Sequence, residues 1–383
     1  MIRQKWTCAW CYVFLCIVSI SNLSSPSVYG AEPKEPVAQP VVIADGPTGI
    51  SAAAAVLMDV TTGDILFGKQ ADTQRPPAST TKIMTAILGL ELGSPDEVVT
   101  VSKKAAAVGE ATLHLDPGEK ITLYELITGA LVRSGNDACV AIAEHISGSE
   151  EQFVKLMNKK AMALGAQNTN FVNTNGLPRK EHYTTARDLA LMARHGLQIP
   201  QFSSITRQKE TEIHFLEPDV FMDLRNTNKL LWNYPYANGV KTGTTTAAGK
   251  CLVASATKDE RQLLAVVLNA PDRFGDAKKL LEWGFEKTET IRLVEAGQAI
   301  AEFPSAKKSV QVFIDNPIDV SISKVKRQSL QTRVVWEKTA YTPVRAGERL
   351  GHLEVWLGEQ KLNCVPLISE KEVTGDLLDT LFK

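Results

Sequence analysis

Ser79-Thr80-Thr81-Lys82 sets a hydroxyl and an amine three positions apart, the spacing at which side chains share one face of a helix. A serine that attacks a carbonyl needs a base for its proton and N–H donors for the developing oxyanion. Lys82 is spaced to be that base. Pro76 and Pro77 stop any helix before Ser79, and the apolar run Ile83 to Leu90 carries one after it. The pattern therefore predicts Ser79 at a helix N-terminus, where unpaired backbone N–H groups and the helix dipole favour negative charge.

Ser-x-x-Lys recurs at Ser255/Lys258, Ser305/Lys308, Ser321/Lys324 and Ser323/Lys326, so the pattern alone decides nothing. Ser321 and Ser323 fall in a strand-like stretch, where residues i and i+3 point to opposite faces. Ser255 ends a strand pattern and Ser305 sits in a linker. Only Ser79 opens a helix with an apolar face behind it, and without support it would read as a plain N-cap serine. Two further tripeptides supply the support: Ser134-Gly135-Asn136, in the break between two helical patterns, and Lys241-Thr242-Gly243, at a strand edge after Asn238-Gly239-Val240. Any one such tripeptide arises by chance in a chain of this length with a probability of about a tenth. All three, in order and each on a fitting element, form a serine acyl-transfer pattern.

The elements that must position these groups are also legible. Val56 to Val60 and Ile65 to Gly68 flank the turn-like Thr61-Thr62-Gly63-Asp64, which predicts a hairpin. Helical periods follow at 80–92, 121–133, 137–147, 150–163 and 186–196. Cys251 to Ala256 and Leu263 to Asn269 are β-type runs joined by Lys258-Asp259-Glu260-Arg261, a second hairpin. The expectation is an α+β domain over 49–295, helices on an antiparallel sheet. Beyond it, Val310 to Ile314, Val320 to Val325, Arg333 to Glu337 and Leu353 to Leu357 predict a small all-β domain over 296–370, followed by a tail at 371–383.

The 383 residues suit two domains, and 44% hydrophobic with 22% charged residues fits a soluble globular chain. A formal charge of −1 points to no nucleic acid. Residues 1–30 read as a signal peptide: Arg3 and Lys5 precede the apolar run Cys8 to Ile20, about 13 residues against the roughly 20 of a membrane span. Cleavage before Ala31 leaves a Pro- and Ala-rich linker over 31–48, a charge of −3, and Cys139, Cys251 and Cys364, an odd number that argues against a disulfide framework. Histidine spacing shows no metal pair and no mixed cysteine cluster, so neither metal nor cofactor is expected. In the tail, Leu377, Leu378, Leu381 and Phe382 make a patch too short and too acidic, with Asp376 and Asp379, for more than weak membrane-surface contact.

From about Gly49 onward the chain resembles the low-molecular-weight penicillin-binding D-alanyl-D-alanine carboxypeptidases. The likeness rests on the three motifs and their flanks: Pro76-Pro77-Ala78, Asn136-Asp137-Ala138, Asn175-Gly176-Leu177, His182 through Asp188, Ala248 through Ala256 and Leu280 through Phe285. It implies a β-lactamase/transpeptidase-like fold and an exported enzyme, with stem peptides ending in D-Ala-D-Ala as substrate and β-lactams as covalent inhibitors. It implies that Ser79 attacks, Lys82 takes the proton and Ser134 relays it. Asn136 would hold the substrate amide, Lys241, Thr242 and Gly243 would bind at the strand edge, and Arg273 would contact the terminal carboxylate. The oxyanion hole would be the N–H of Ser79 and of Thr244, a residue that stands where some members have His. His182 and Asp188 read as structural loop-to-helix contacts. A β-lactamase is disfavoured by Ser-Gly-Asn in place of Ser-Asp-Asn and by the lack of a Glu-x-x-Leu-Asn equivalent between Phe171 and His182; a catalytically silent module has no reason to keep all five polar groups. An endopeptidase acting on cross-links stays open.

Overall fold

Three apolar runs explain the centre of the fold. In a computed structural model describing residues 46–305, 308–340 and 342–373, they become β1 (Ala54–Asp59), β4 (Gly249–Lys258) and β5 (Arg261–Leu268). With β2 (Ile65–Lys69) and β3 (Ala237–Thr245) they form one antiparallel sheet in the order β2-β1-β5-β4-β3. Both hairpins foreseen in the sequence are present, and Asp259 and Glu260 take the left-handed backbone of a two-residue turn, φ 49° and 63°. The signal peptide, the linker as far as Asp45 and the tail from 374 lie outside the described residues.

The runs are unbroken because both faces of the sheet are covered. Val56, Met58, Val253, Leu264 and Val266 pack on one face against α1 (Lys82–Leu92) and α5 (Ala186–Leu197). Leu57, Leu252, Ala254, Leu263 and Ala265 alternate to the other, against Leu280 and Leu281 of α6 (Arg273–Lys287). Helices α2 (Leu123–Val132), α3 (Asn136–Ser147) and α4 (Glu150–Ala163) complete the first layer. Side-chain caps fix where several helices begin: Thr122 accepts from Glu125 N–H, Ser149 from Gln152 N–H and Thr185 from Asp188 N–H. A second sheet escaped the sequence reading. Val98–Thr100, Lys120–Thr122, Glu210–Glu217 and Val220–Arg225 pair in that order.

Beyond α6, Thr288–Val294 pairs with Ile318–Ser323, and five strands form a sheet in the order Ala299–Pro304, Ser309–Phe313, Gln360–Ser369, Arg349–Leu357, Leu330–Trp336. Phe303, Val312, Leu353, Val355 and Leu367 fill the interior. Strand pairing here corrects one reading: Glu354 lies opposite Cys364, and with His352 their ligating atoms come within 4.8 Å of one another. Such a mixed cluster is invisible to linear spacing. Among the described residues no helix is long and apolar enough to cross a membrane.

Candidate active site

Ser79 lies in a 3-10 turn, Ala78–Thr81, that runs directly into α1. The tight turn matters because residues i and i+3 eclipse in 3-10 geometry. Lys82 Nζ donates to Ser79 Oγ at 3.0 Å. Two other acceptors hold the amine: Asn136 Oδ1 at 2.7 Å and the backbone carbonyl of Asn175 at 2.7 Å. Lys82 is wholly buried while Ser79 is half-buried. Burial lowers the ammonium to about 8, against weaker opposing contributions from Cys139, Asp137 and Glu110. Among the causes burial alone lowers Lys82, whereas Lys241 is pushed well below its ordinary value, first by its own burial and then by Lys82.

The break between α2 and α3 brings the second motif to the same place. Ser134 is buried with φ 75°, a left-handed kink that turns the chain sharply between the two helices. Asn136 opens α3; its Nδ2 donates to the carbonyl of Gly109 at 2.9 Å while its Oδ1 takes the Lys82 proton donor. Half of the hydrogen-bonding capacity expected to meet a substrate amide is therefore used within the protein. Asp137, next in sequence and 1% exposed, accepts from the N–H groups of Leu113 (2.9 Å), Leu115 (3.2 Å) and Ala138 (2.9 Å). Its carboxylate ties the 109–115 loop to the start of α3.

The third motif is on β3, the edge strand. Lys241 is buried and donates to the Thr242 carbonyl at 3.1 Å. Thr242 shares a 2.6 Å hydrogen bond with Thr227. A Cβ at Gly243 would lie 3.0 Å from Ser79 N and 3.0 Å from the Pro77 carbonyl, so the strand edge and the nucleophile turn are in close contact. Exposed Thr244 receives Arg273 Nη1 on its hydroxyl at 2.8 Å, and the same nitrogen donates to Gly243 O at 2.9 Å. All nine residues singled out from the sequence thus lie on the nucleophile turn, the helix break, the strand edge and the first residue of α6.

Further residues build this site without having been read as doing so. Gly176 has φ +90°, and a Cβ there would fall 1.9 Å from the Ala78 carbonyl, so only glycine lets the 173–178 loop touch the nucleophile turn. Ala78 itself has φ 51°. Thr81 Oγ1 donates to that same Ala78 carbonyl at 2.9 Å and lies 2.9 Å from His182 Nε2. Because His182 Nδ1 accepts from Val172 N–H at 3.0 Å, Nε2 carries the ring proton and donates to Thr81. Burial drops His182 to about 4, so the ring is neutral at physiological pH. Asp188 accepts from Asn168 N–H and Thr169 Oγ1, the structural part foreseen for it.

A family model described as D-alanyl-D-alanine carboxypeptidase matches residues 41–272, and one described as the C-terminal domain of penicillin-binding protein 5 matches residues 289–375. The D-alanyl-D-alanine carboxypeptidase DacF of Bacillus subtilis is 38% identical over 317 residues, 79% of this chain and 80% of the relative. DacC of Escherichia coli is 33% identical over 344 residues, 85% of this chain and 84% of its own length. The structure of penicillin-binding protein 5 from Haemophilus influenzae superposes with a TM-score of 0.77 at 32% identity, covering 87% of this chain and 100% of that one.

Proposed function

The chain belongs to the D-alanyl-D-alanine carboxypeptidase family, serine hydrolases of the cell wall that bind penicillin, and from that premise we propose how its residues divide the work. Ser79 Oγ attacks the carbonyl between the two D-alanines while Lys82 Nζ, in its neutral form, accepts the hydroxyl proton. The observation that carries this is the 3.0 Å contact between a half-buried hydroxyl and a fully buried amine lowered to about 8. At pH 7 about a tenth of such an amine is neutral, against roughly one part in several thousand for an ordinary lysine. The oxyanion forms between the N–H groups of Ser79 and Thr244, a reading supported by the close approach of Gly243, the residue before Thr244, to the Ser79 nitrogen.

Ser134 passes the proton to the leaving D-alanine nitrogen, and the remaining N–H of Asn136 holds the acyl-side amide. Lys241, Thr242 and Arg273 meet the terminal carboxylate, with the buried Lys241 amine behind, the Thr242 hydroxyl in front and the Arg273 guanidinium beside it. Water then cleaves the acyl-ester and returns Ser79. The substrate is the stem peptide ending in D-Ala-D-Ala, so the enzyme works outside the cytoplasmic membrane. Residues 49–295 form the catalytic part and 296–370 a part that positions it.

Ser79→Ala tests the assignment: purified protein is assayed for D-alanine release and for covalent labelling by radioactive penicillin. Both are expected to vanish, since the ester forms at the deleted oxygen. Labelling that survives the substitution would overturn Ser79 as nucleophile.

A further inference from the structure

Beside the nucleophile turn lies a cavity of about 310 Å³ bounded by Pro76, the 176–180 loop, His182 and the far end of β3 at Thr245. Its rim is cationic. Arg179 and Lys180 are consecutive and exposed, and among the described residues neither enters an ion pair. Glu181 follows on the same loop, so one acid faces two bases. The loop does not drift free of the site, because Gly176 is in contact with the Ala78 carbonyl, one residue before Ser79.

The direction of β3 says which part of a substrate reaches this cavity. Lys241 and Thr242, at one end, take the carboxylate of the leaving D-alanine; Thr244 marks the reacting carbonyl; Thr245 and Ala247 lie beyond it. A peptide laid along the strand at about 3.4 Å per residue puts the acyl side next to Thr245 and the 176–180 loop. We propose that this loop is a subsite for the residue preceding D-Ala-D-Ala, and that Arg179 and Lys180 select one whose side chain bears a free carboxylate. The inference rests on the role of Ser79 and β3 given above and adds a preference among substrates.

The probes are two acetylated tripeptides X-D-Ala-D-Ala that differ only in X, one with a side-chain carboxylate and one with the corresponding carboxamide. For the unaltered full chain, kcat/KM is expected to favour the carboxylate by about tenfold, mostly through KM, the size of two partly screened ion pairs. The double variant Arg179→Ala/Lys180→Ala should bring the ratio to near one, Arg179→Glu/Lys180→Glu should invert it, and raised salt should shrink it in the unaltered chain alone. A ratio of one in the unaltered chain, or a preference that persists in the double alanine variant, overturns the subsite. Failure to release D-alanine from either peptide would instead strike the underlying assignment of Ser79, which penicillin labelling reads independently.

Discussion

Burying an amine without a carboxylate partner is what turns lysine into a base at neutral pH. Lys82 donates only to uncharged oxygens, those of Ser79, Asn136 and Asn175, so no direct ion pair offsets the desolvation of its charge, and the weaker pull of Cys139, Asp137 and Glu110 does not make it up. Its neutral fraction therefore rises as pH climbs through about 8, and acylation should rise with it and level off above. His182, at about 4, stays neutral across that range and adds no second limb. Penicillin acylation rates measured from pH 6 to pH 10 check this; a flat profile would contradict Lys82 as the base. Lys82→Arg keeps the charge but cannot give up a proton at these pH values. It should slow acylation by about 10³-fold, within the usual worth of a general base, whereas Ser134→Ala should still label slowly because that residue only relays. At this scale the sequence exposed the side chains but not the Asn175 carbonyl, since a backbone acceptor leaves no mark in residue type.

Between elements, the site depends on contacts that only small or charged residues allow. Gly176→Ala would need a methyl 1.9 Å from the Ala78 carbonyl and a non-glycine residue at φ +90°, so the loop must leave the nucleophile turn. The expected result is a loss of roughly 2 kcal/mol or more in stability, with acylation slowed even where the protein stays folded; denaturant unfolding and penicillin labelling of one preparation read the two effects. Asp137→Ala should act similarly through the 109–115 loop, freeing the N–H groups of Leu113 and Leu115 and loosening the Gly109 carbonyl that anchors Asn136. Losing a buried charged acceptor of this kind costs about 3 kcal/mol. Long periodic elements such as α4 and α5 were legible because their apolar stripes are complete. The sheet containing Val98–Thr100 and Lys120–Thr122 was not, because each of these strands is three residues long and buries only its middle one, Val99 or Ile121. Periodicity has nothing to register in so short a run.

Across the whole molecule, the catalytic sheet meets the C-terminal strands through polar groups as well as apolar ones. Asp59, at the end of β1, is 0% exposed and accepts from Arg261 Nε at 2.8 Å and Thr290 Oγ1 at 2.8 Å, with Thr61 N–H on its other oxygen at 2.9 Å. Arg261 extends the bridge, donating through Nη1 to the Thr288 carbonyl at 2.8 Å and through Nη2 to the Thr288 hydroxyl at 2.9 Å. Asp64 in the first hairpin accepts from Ser321 N–H at 2.8 Å. A guanidinium is suited to this place because its planar fork reaches a carboxylate and a neighbouring strand at once. Arg261→Ala leaves Asp59 buried without its counter-charge, and breaking a buried pair in this way costs about 3 to 5 kcal/mol. Arg261 touches none of the groups around Ser79, so penicillin acylation at room temperature should stay within about twofold while thermal unfolding moves down by several degrees. Arg261→Lys should recover part of the loss, since an ammonium can meet Asp59 but cannot also span to both Thr288 oxygens. Calorimetry on the two variants, paired with labelling, checks the argument: an unchanged melting temperature in Arg261→Ala would mean that the junction is held by its apolar contacts alone.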